Sequence, residues 1–170
     1  MADFQTALAI TLDHEKGFFH NTVTGEVVNM GITLDTLRSL GILKTRGPAT
    51  PEDIAFVKGL TAEDVSPIYR QEYWDKLQLD KFVNQAVANK VFDLAVNTGT
   101  HQATMFLQRA LRILADGQLG PLTLSAANSA DPQRVLDSIR SQGAQFYREL
   151  AANNPELAPD LPGWLARLDS

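Results

Sequence analysis

The chain keeps a helical rhythm almost from end to end and breaks it once. Apolar residues recur at intervals of three and four, and the period changes only across residues 18–32. There Phe19-His20-Asn21-Thr22-Val23 and Glu26-Val27-Val28-Asn29 flank Thr24-Gly25, which reads as a small irregular hairpin. No other segment is credible as β structure. The fold class is therefore mainly α, with one small β-hairpin near the N-terminus.

The helical remainder carries its own punctuation. Asp3 is placed to cap a helix whose apolar positions Phe4, Ala7, Leu8 and Leu12 run to about Glu15. Thr33 opens a short helix through Leu34, Leu37 and Leu40, stopped by Gly41. After a surface loop, Thr50-Pro51-Glu52-Asp53 and Thr61-Ala62-Glu63-Asp64 each show a threonine followed three residues later by an acid, the capping-box pattern. The second of these helices carries Tyr69, Tyr73 and Trp74. Further helices are expected over residues 83–98 and 100–114, from Pro121, and from Asp131-Pro132 to about Leu150. A Pro- and Asn-rich stretch then leads to an amphipathic last turn at 163–168. No repeat or clean linker interrupts the sequence, so residues 1–170 are read as a single domain.

Composition narrows the chemistry. The chain has no cysteine, and its three histidines, His14, His20 and His101, lack metal-ligand spacing. Disulfides, thiolate chemistry and a bound metal are not expected, and no cofactor motif is visible. A formal charge of −5 with no run of Lys or Arg argues against nucleic acid or an anionic membrane surface as partner. The N-terminal residues do not form a signal peptide, and no stretch approaches 18 apolar residues. The expectation is synthesis in the cytoplasm without membrane insertion.

Carboxylates and amides remain as the candidate chemistry. Glu15 ends the first helix beside Phe18 and Phe19, so its carboxylate faces the negative end of the helix dipole in an apolar setting, the surroundings a general acid uses. The bland alternative is an exposed last-turn charge. Asp93 and Asn97 lie one turn apart on one face of an otherwise apolar helix, with Asn89 one turn before them. That ridge is either a helix-packing device or a set of ligand contacts. Tyr69, Tyr73 and Trp74 share a helical stripe that suits a core or, beside amides and acids, a sugar-binding cleft.

Together these pieces resemble one family. Glu15-Lys16-Gly17-Phe18, Asn29-Met30-Gly31-Ile32-Thr33, Tyr69-Arg70, Tyr73-Trp74, Phe92-Asp93-Leu94-Ala95-Val96-Asn97-Thr98-Gly99, Leu107-Gln108-Arg109-Ala110-Leu111 and Asp116-Gly117 with Gly120-Pro121-Leu122-Thr123 are similar, in order and spacing, to glycoside hydrolase family 108. These are small N-acetylmuramidases, often labelled phage endolysins or secretion activators. The resemblance implies a lysozyme-like helical domain that cleaves the glycan strand of peptidoglycan, with Glu15 as catalytic acid. It also implies a catalytic part at 1–100 and an integrated peptidoglycan-binding-like helical part at 101–170. The sequence departs from the family pattern at Lys16, Phe18 and Val28, and in the loop 21–26, which is one residue shorter.

Cleavage of a glycosidic bond needs a proton for the leaving oxygen and a second group to serve the oxocarbenium-like centre. Glu26, across the hairpin, is the candidate for that second role, ahead of Asp93. Asn29, Tyr73, Asp93 and Asn97 are the candidate saccharide contacts. A catalytically silent wall-binding module and a chitin-type glycosidase are the alternatives. An enzyme of this kind reaches the wall, in the periplasm or outside the cell, after release by a holin, by lysis or through a dedicated secretion system.

Overall fold

The computed structural model describes residues 1–15 and 17–169. Lys16, one of the departures from the family pattern, and Ser170 lie outside the described residues. The chain forms two compact units, Leu8–Gln71 and Met1–Ala7 together with the chain from Glu72 onward. The division runs through α1 (Phe4–His14) and through a π-helical turn at Arg70–Trp74.

In the unit Leu8–Gln71, α1 leads into a three-stranded antiparallel sheet of β1 (Phe19–His20), β2 (Val27–Asn29) and β3 (Ile32–Thr33). The expected hairpin is present, with Phe19 opposite Val28 and His20 opposite Val27. β3 adds a third strand beyond the expected hairpin, pairing Val28 with Thr33 and Asn29 with Ile32. Thr33 still caps α2 (Leu34–Ser39), its hydroxyl accepting from the Thr36 N–H. Both capping boxes form, on α3 (Pro51–Lys58) and α4 (Ala62–Tyr69), each acid reaching back to its threonine N–H. Val27, Ile32, Leu37, Val57, Val65 and Tyr69 make the core of this unit. Removing each large apolar side chain from water contributes about 1.5–3 kcal/mol.

The second unit gathers the N-terminal residues with the remaining helices. Asp3 caps α1, accepting from the Thr6 N–H at 2.8 Å, and Phe4 meets Trp74 and Phe92 edge to face at 5.5 and 5.9 Å. α5 (Gln85–Thr98), capped by Asn84, packs against α6 (Thr100–Ala110), with Gly99 (φ 87°) as the single residue between them. α7 (Pro121–Ser129) begins with its proline, and α8 (Pro132–Asn153) is capped by Asp131. The Pro- and Asn-rich stretch contains a 3₁₀ segment, Pro155–Asp160, and α9 (Leu161–Asp169) docks on α8. Gly143 makes that docking close, since a Cβ there would stand 2.8 Å from a Leu168 methyl. The boundary expected between residues 100 and 101 lies inside this unit. No helix among the described residues is long and apolar enough to cross a membrane.

Candidate active site

α1 ends where its hydrogen bonding does. The Glu15 N–H is shared between the carbonyls of Thr11 and Leu12 at 3.2 Å each, and the chain then leaves the helix with the Glu15 side chain half-buried. Against that carboxylate lies the turn joining β2 to β3, two residues long, with Met30 at φ 48° and Gly31 at φ 72°. Two successive positive φ angles mark a type I′ turn. For methionine this left-handed conformation costs roughly 1–2 kcal/mol, partly offset by the Tyr69 hydroxyl, which donates to the Met30 carbonyl at 2.8 Å.

Gly31 is fixed by space as well as by its dihedral. A Cβ there would stand 2.4 Å from the Tyr69 hydroxyl and 2.7 Å from Oε2 of Glu15. The carboxylate of Glu15, the phenol of Tyr69 and the backbone of the turn therefore crowd one point. Behind the turn, the buried Asn29 donates its side-chain N–H groups to the carbonyls of Val57 at 3.0 Å, Lys58 at 3.2 Å and Leu60 at 3.4 Å. These carbonyls close α3 and open the next loop. Asn29 thus braces the sheet on α3, its side-chain donors engaged by the chain itself.

Residues 8–99 match the family described as Glycosyl hydrolase 108. The chain belongs to glycosyl hydrolase family 108. Residues 102–169 match a domain described as Predicted Peptidoglycan domain. The solved structure described as Structure of Brucella abortus SagA is 26% identical, covers 98% of this chain and 89% of that one, and superposes with a TM-score of 0.78. No curated protein matches the chain. This family-108 protein is a glycoside hydrolase with a peptidoglycan-related substrate, on the lysozyme-like, mainly helical fold expected from its sequence.

In this hydrolase the remaining candidate residues occupy distinct places. Glu26 is exposed on the arm of the hairpin and borders a groove of about 650 Å³ between the hairpin tip, the start of α2 and residues 47–49. Tyr73 is half-buried and meets Phe92 edge to face at 6.5 Å. Asp93 is buried and ion-paired, its two oxygens facing Nε and Nη2 of Arg167. Asn97, exposed at the end of α5, donates to the Tyr147 hydroxyl at 2.6 Å. At Asp93 the polar ridge of α5 packs one helix on another through Arg167, which is the helix-packing alternative for that residue. Asn97 keeps solvent access beside its bond to Tyr147.

The electrostatics of this ridge follow from burial. Lys90 is buried and donates to the carbonyls of Arg167 at 3.2 Å and Leu168 at 2.9 Å, closing the last turn of α9. Burial holds its ammonium below the usual lysine value, with the Asp93 charge opposing. Burial likewise pushes the Tyr147 phenol up to about 12, against the hydrogen bond from Asn97. Tyr147 also stacks on Trp164 at 5.2 Å.

Two quoted motifs prove to be one device. The buried Gln108 donates to Asp116 Oδ1 at 2.7 Å, the Gln118 carbonyl at 3.0 Å and the Thr123 hydroxyl at 3.1 Å, and accepts from the Gly117 N–H at 2.9 Å. The Gln118 N–H, then Gln108, hold the Asp116 carboxyl below the ordinary carboxylate range. Gln108 therefore shapes the turn that enters α7.

Tyr69 and Gly31 were not singled out as site residues from sequence. Their signal was a glycine two residues after a short strand and a tyrosine on an aromatic stripe, which a core explains as well. Among the described residues no cluster of His, Cys, Asp and Glu could hold a metal ion.

Proposed function

We propose that this family-108 hydrolase is an N-acetylmuramidase that cleaves the glycan strand of peptidoglycan with Glu15 as general acid. The observation that carries this reading is the fixed, half-buried carboxylate of Glu15 at the end of α1, set against the left-handed turn at Met30-Gly31. A carboxyl held by its surroundings delivers its proton along a defined direction, which general acid catalysis requires. Glu26 takes the second role: it is exposed, follows Gly25 on the same hairpin and borders an open groove. Tyr73 and Asn97 serve as contacts for the polymer.

The protein acts at the cell wall, in the periplasm or outside, and is released there by a holin, by lysis or through a secretion system. Its reading as a bacteriolytic endolysin or a secretion-associated muramidase rests on the family resemblance.

The test is Glu15→Gln assayed on purified peptidoglycan. The variant keeps its melting behaviour and its retention on the insoluble polymer, and releases no reducing ends. Undiminished turnover refutes the assignment of Glu15. A wild-type protein that binds the polymer without releasing ends is the silent wall-binding module instead, and preferential release from chitin makes it a chitin-type glycosidase.

A further inference from the structure

We infer that Tyr69 is a positioning residue for Glu15, holding the carboxyl in the orientation from which it protonates the glycosidic oxygen. The inference rests on the assignment of Glu15 as general acid and deepens it. Tyr69 is fully buried at the end of α4, so its ring has no freedom to swing away. Its single hydroxyl proton is given to the Met30 carbonyl at 2.8 Å. On its other side the phenol oxygen stands 2.4 Å from the point that a Cβ on Gly31 would occupy, and Oε2 of Glu15 stands 2.7 Å from that same point. One oxygen thus anchors the turn and walls the carboxyl.

The left-handed conformation of Met30 fits this arrangement. It aims the Met30 carbonyl at Tyr69 and fixes which way the hydroxyl points, so the phenol offers its lone pairs, not its proton, to its remaining neighbours. A carboxyl rotated toward Gly31 meets the phenol or the turn, so the protonated oxygen is kept facing outward. Gly31 leaves the space this needs. The para hydroxyl is what lets this ring reach the Met30 carbonyl.

The experiment is Tyr69→Phe beside Glu15→Gln, both assayed on purified peptidoglycan with melting and retention on the insoluble polymer measured in parallel. Phenylalanine keeps the buried ring and removes the oxygen. The expected result is kcat lowered by about tenfold or more with KM and retention unchanged, the effect of misplacing a reacting group without disturbing substrate binding. Wild-type kcat in Tyr69→Phe, with Glu15→Gln inactive, overturns the positioning role and leaves the general acid in place. Full activity in Glu15→Gln overturns both. A loss in Tyr69→Phe that merely follows a loss of folded protein assigns Tyr69 to stability and overturns the inference.

Discussion

Arg167 grips Asp93 with its guanidinium, Nε and Nη2 lying 2.9–3.1 Å from the two carboxylate oxygens, so the last helix is fastened to α5 by a buried ion pair. The side chains retain 14% and 4% exposure, little enough that water does not screen the pair. Asp93→Ala leaves the arginine charge buried without its partner, a change that costs about 3–5 kcal/mol. A denaturant midpoint should show it, and a loss below about 1 kcal/mol would mean that the pair is solvated in solution.

Gly31→Ala tests the crowding at the site. The new methyl must adopt a left-handed φ and enters the space of the Tyr69 hydroxyl and the Glu15 carboxylate. The backbone term alone costs roughly 1–2 kcal/mol, whereas displacing the carboxylate should lower kcat by about 100-fold. Turnover on peptidoglycan at a temperature where the variant is fully folded separates the two, and retained turnover would show that Glu15 tolerates displacement.

Asp53 gives the fold an acid dependence. The Thr50 N–H, then the Thr45 hydroxyl, with Arg38 contributing, hold its carboxyl below the ordinary value of 3.8. A depressed folded-state value means stability that is present above that ordinary value and lost as pH falls through the depressed one. The stability difference between wild type and Asp53→Asn should be constant above about pH 5 and shrink as the solution is acidified. A difference independent of pH would contradict this.

Tyr147 sets the alkaline limit. Its folded-state value is raised from 10.0 to about 12, so the corresponding stability is complete below pH 10.0 and is lost as pH climbs toward 12. Replacing Tyr147 by Phe should flatten the decline in melting temperature across that window. An unchanged alkaline slope would place the phenol in contact with water.

Thr11 offers a gain. It is fully buried in α1, and its hydroxyl has no hydrogen-bond partner among the described residues. An unsatisfied buried hydroxyl costs about 1–3 kcal/mol, so Thr11→Val, which keeps the shape, should raise stability by about 1 kcal/mol. Thermal unfolding decides the sign, and a loss would reveal a bonded water at that hydroxyl.

What could be read from the sequence was whatever local chemistry dictates. Thr50 with Asp53 and Thr61 with Asp64 announce their helices because each cap joins residues three apart, and Asp3, Asn84 and Asp131 do the same. β3 was hidden because its turn is Met30-Gly31, without the Asn or Asp that usually signals a left-handed first position. The π-helical turn at Arg70–Trp74 continues the apolar spacing of α4 and so reads as one helix. The 3₁₀ segment at Pro155–Asp160 hid in a composition that suggests a loop.

The site was legible in part for the same reason. Glu15 could be picked out because its helix stops there, a local fact. The ridge of Asn89, Asp93 and Asn97 was visible as a departure from an apolar face, but its purpose depends on Arg167 and Tyr147, 74 and 50 residues away. Tyr69 is 39 residues from Met30, and no spacing rule joins them. Only the folded chain brings this tyrosine and the acid to the same glycine.

The hold of Lys90 on the Arg167 and Leu168 carbonyls has an evolutionary corollary. A buried ammonium supplied by the hydrolase-matched stretch terminates a helix belonging to the stretch matched to the peptidoglycan domain, so neither half should be exchangeable as a cassette. A chimera spliced between α5 and α6 would strand a charge on one side and bare carbonyls on the other. Recombination among relatives should therefore transmit the two stretches as a single heritable block.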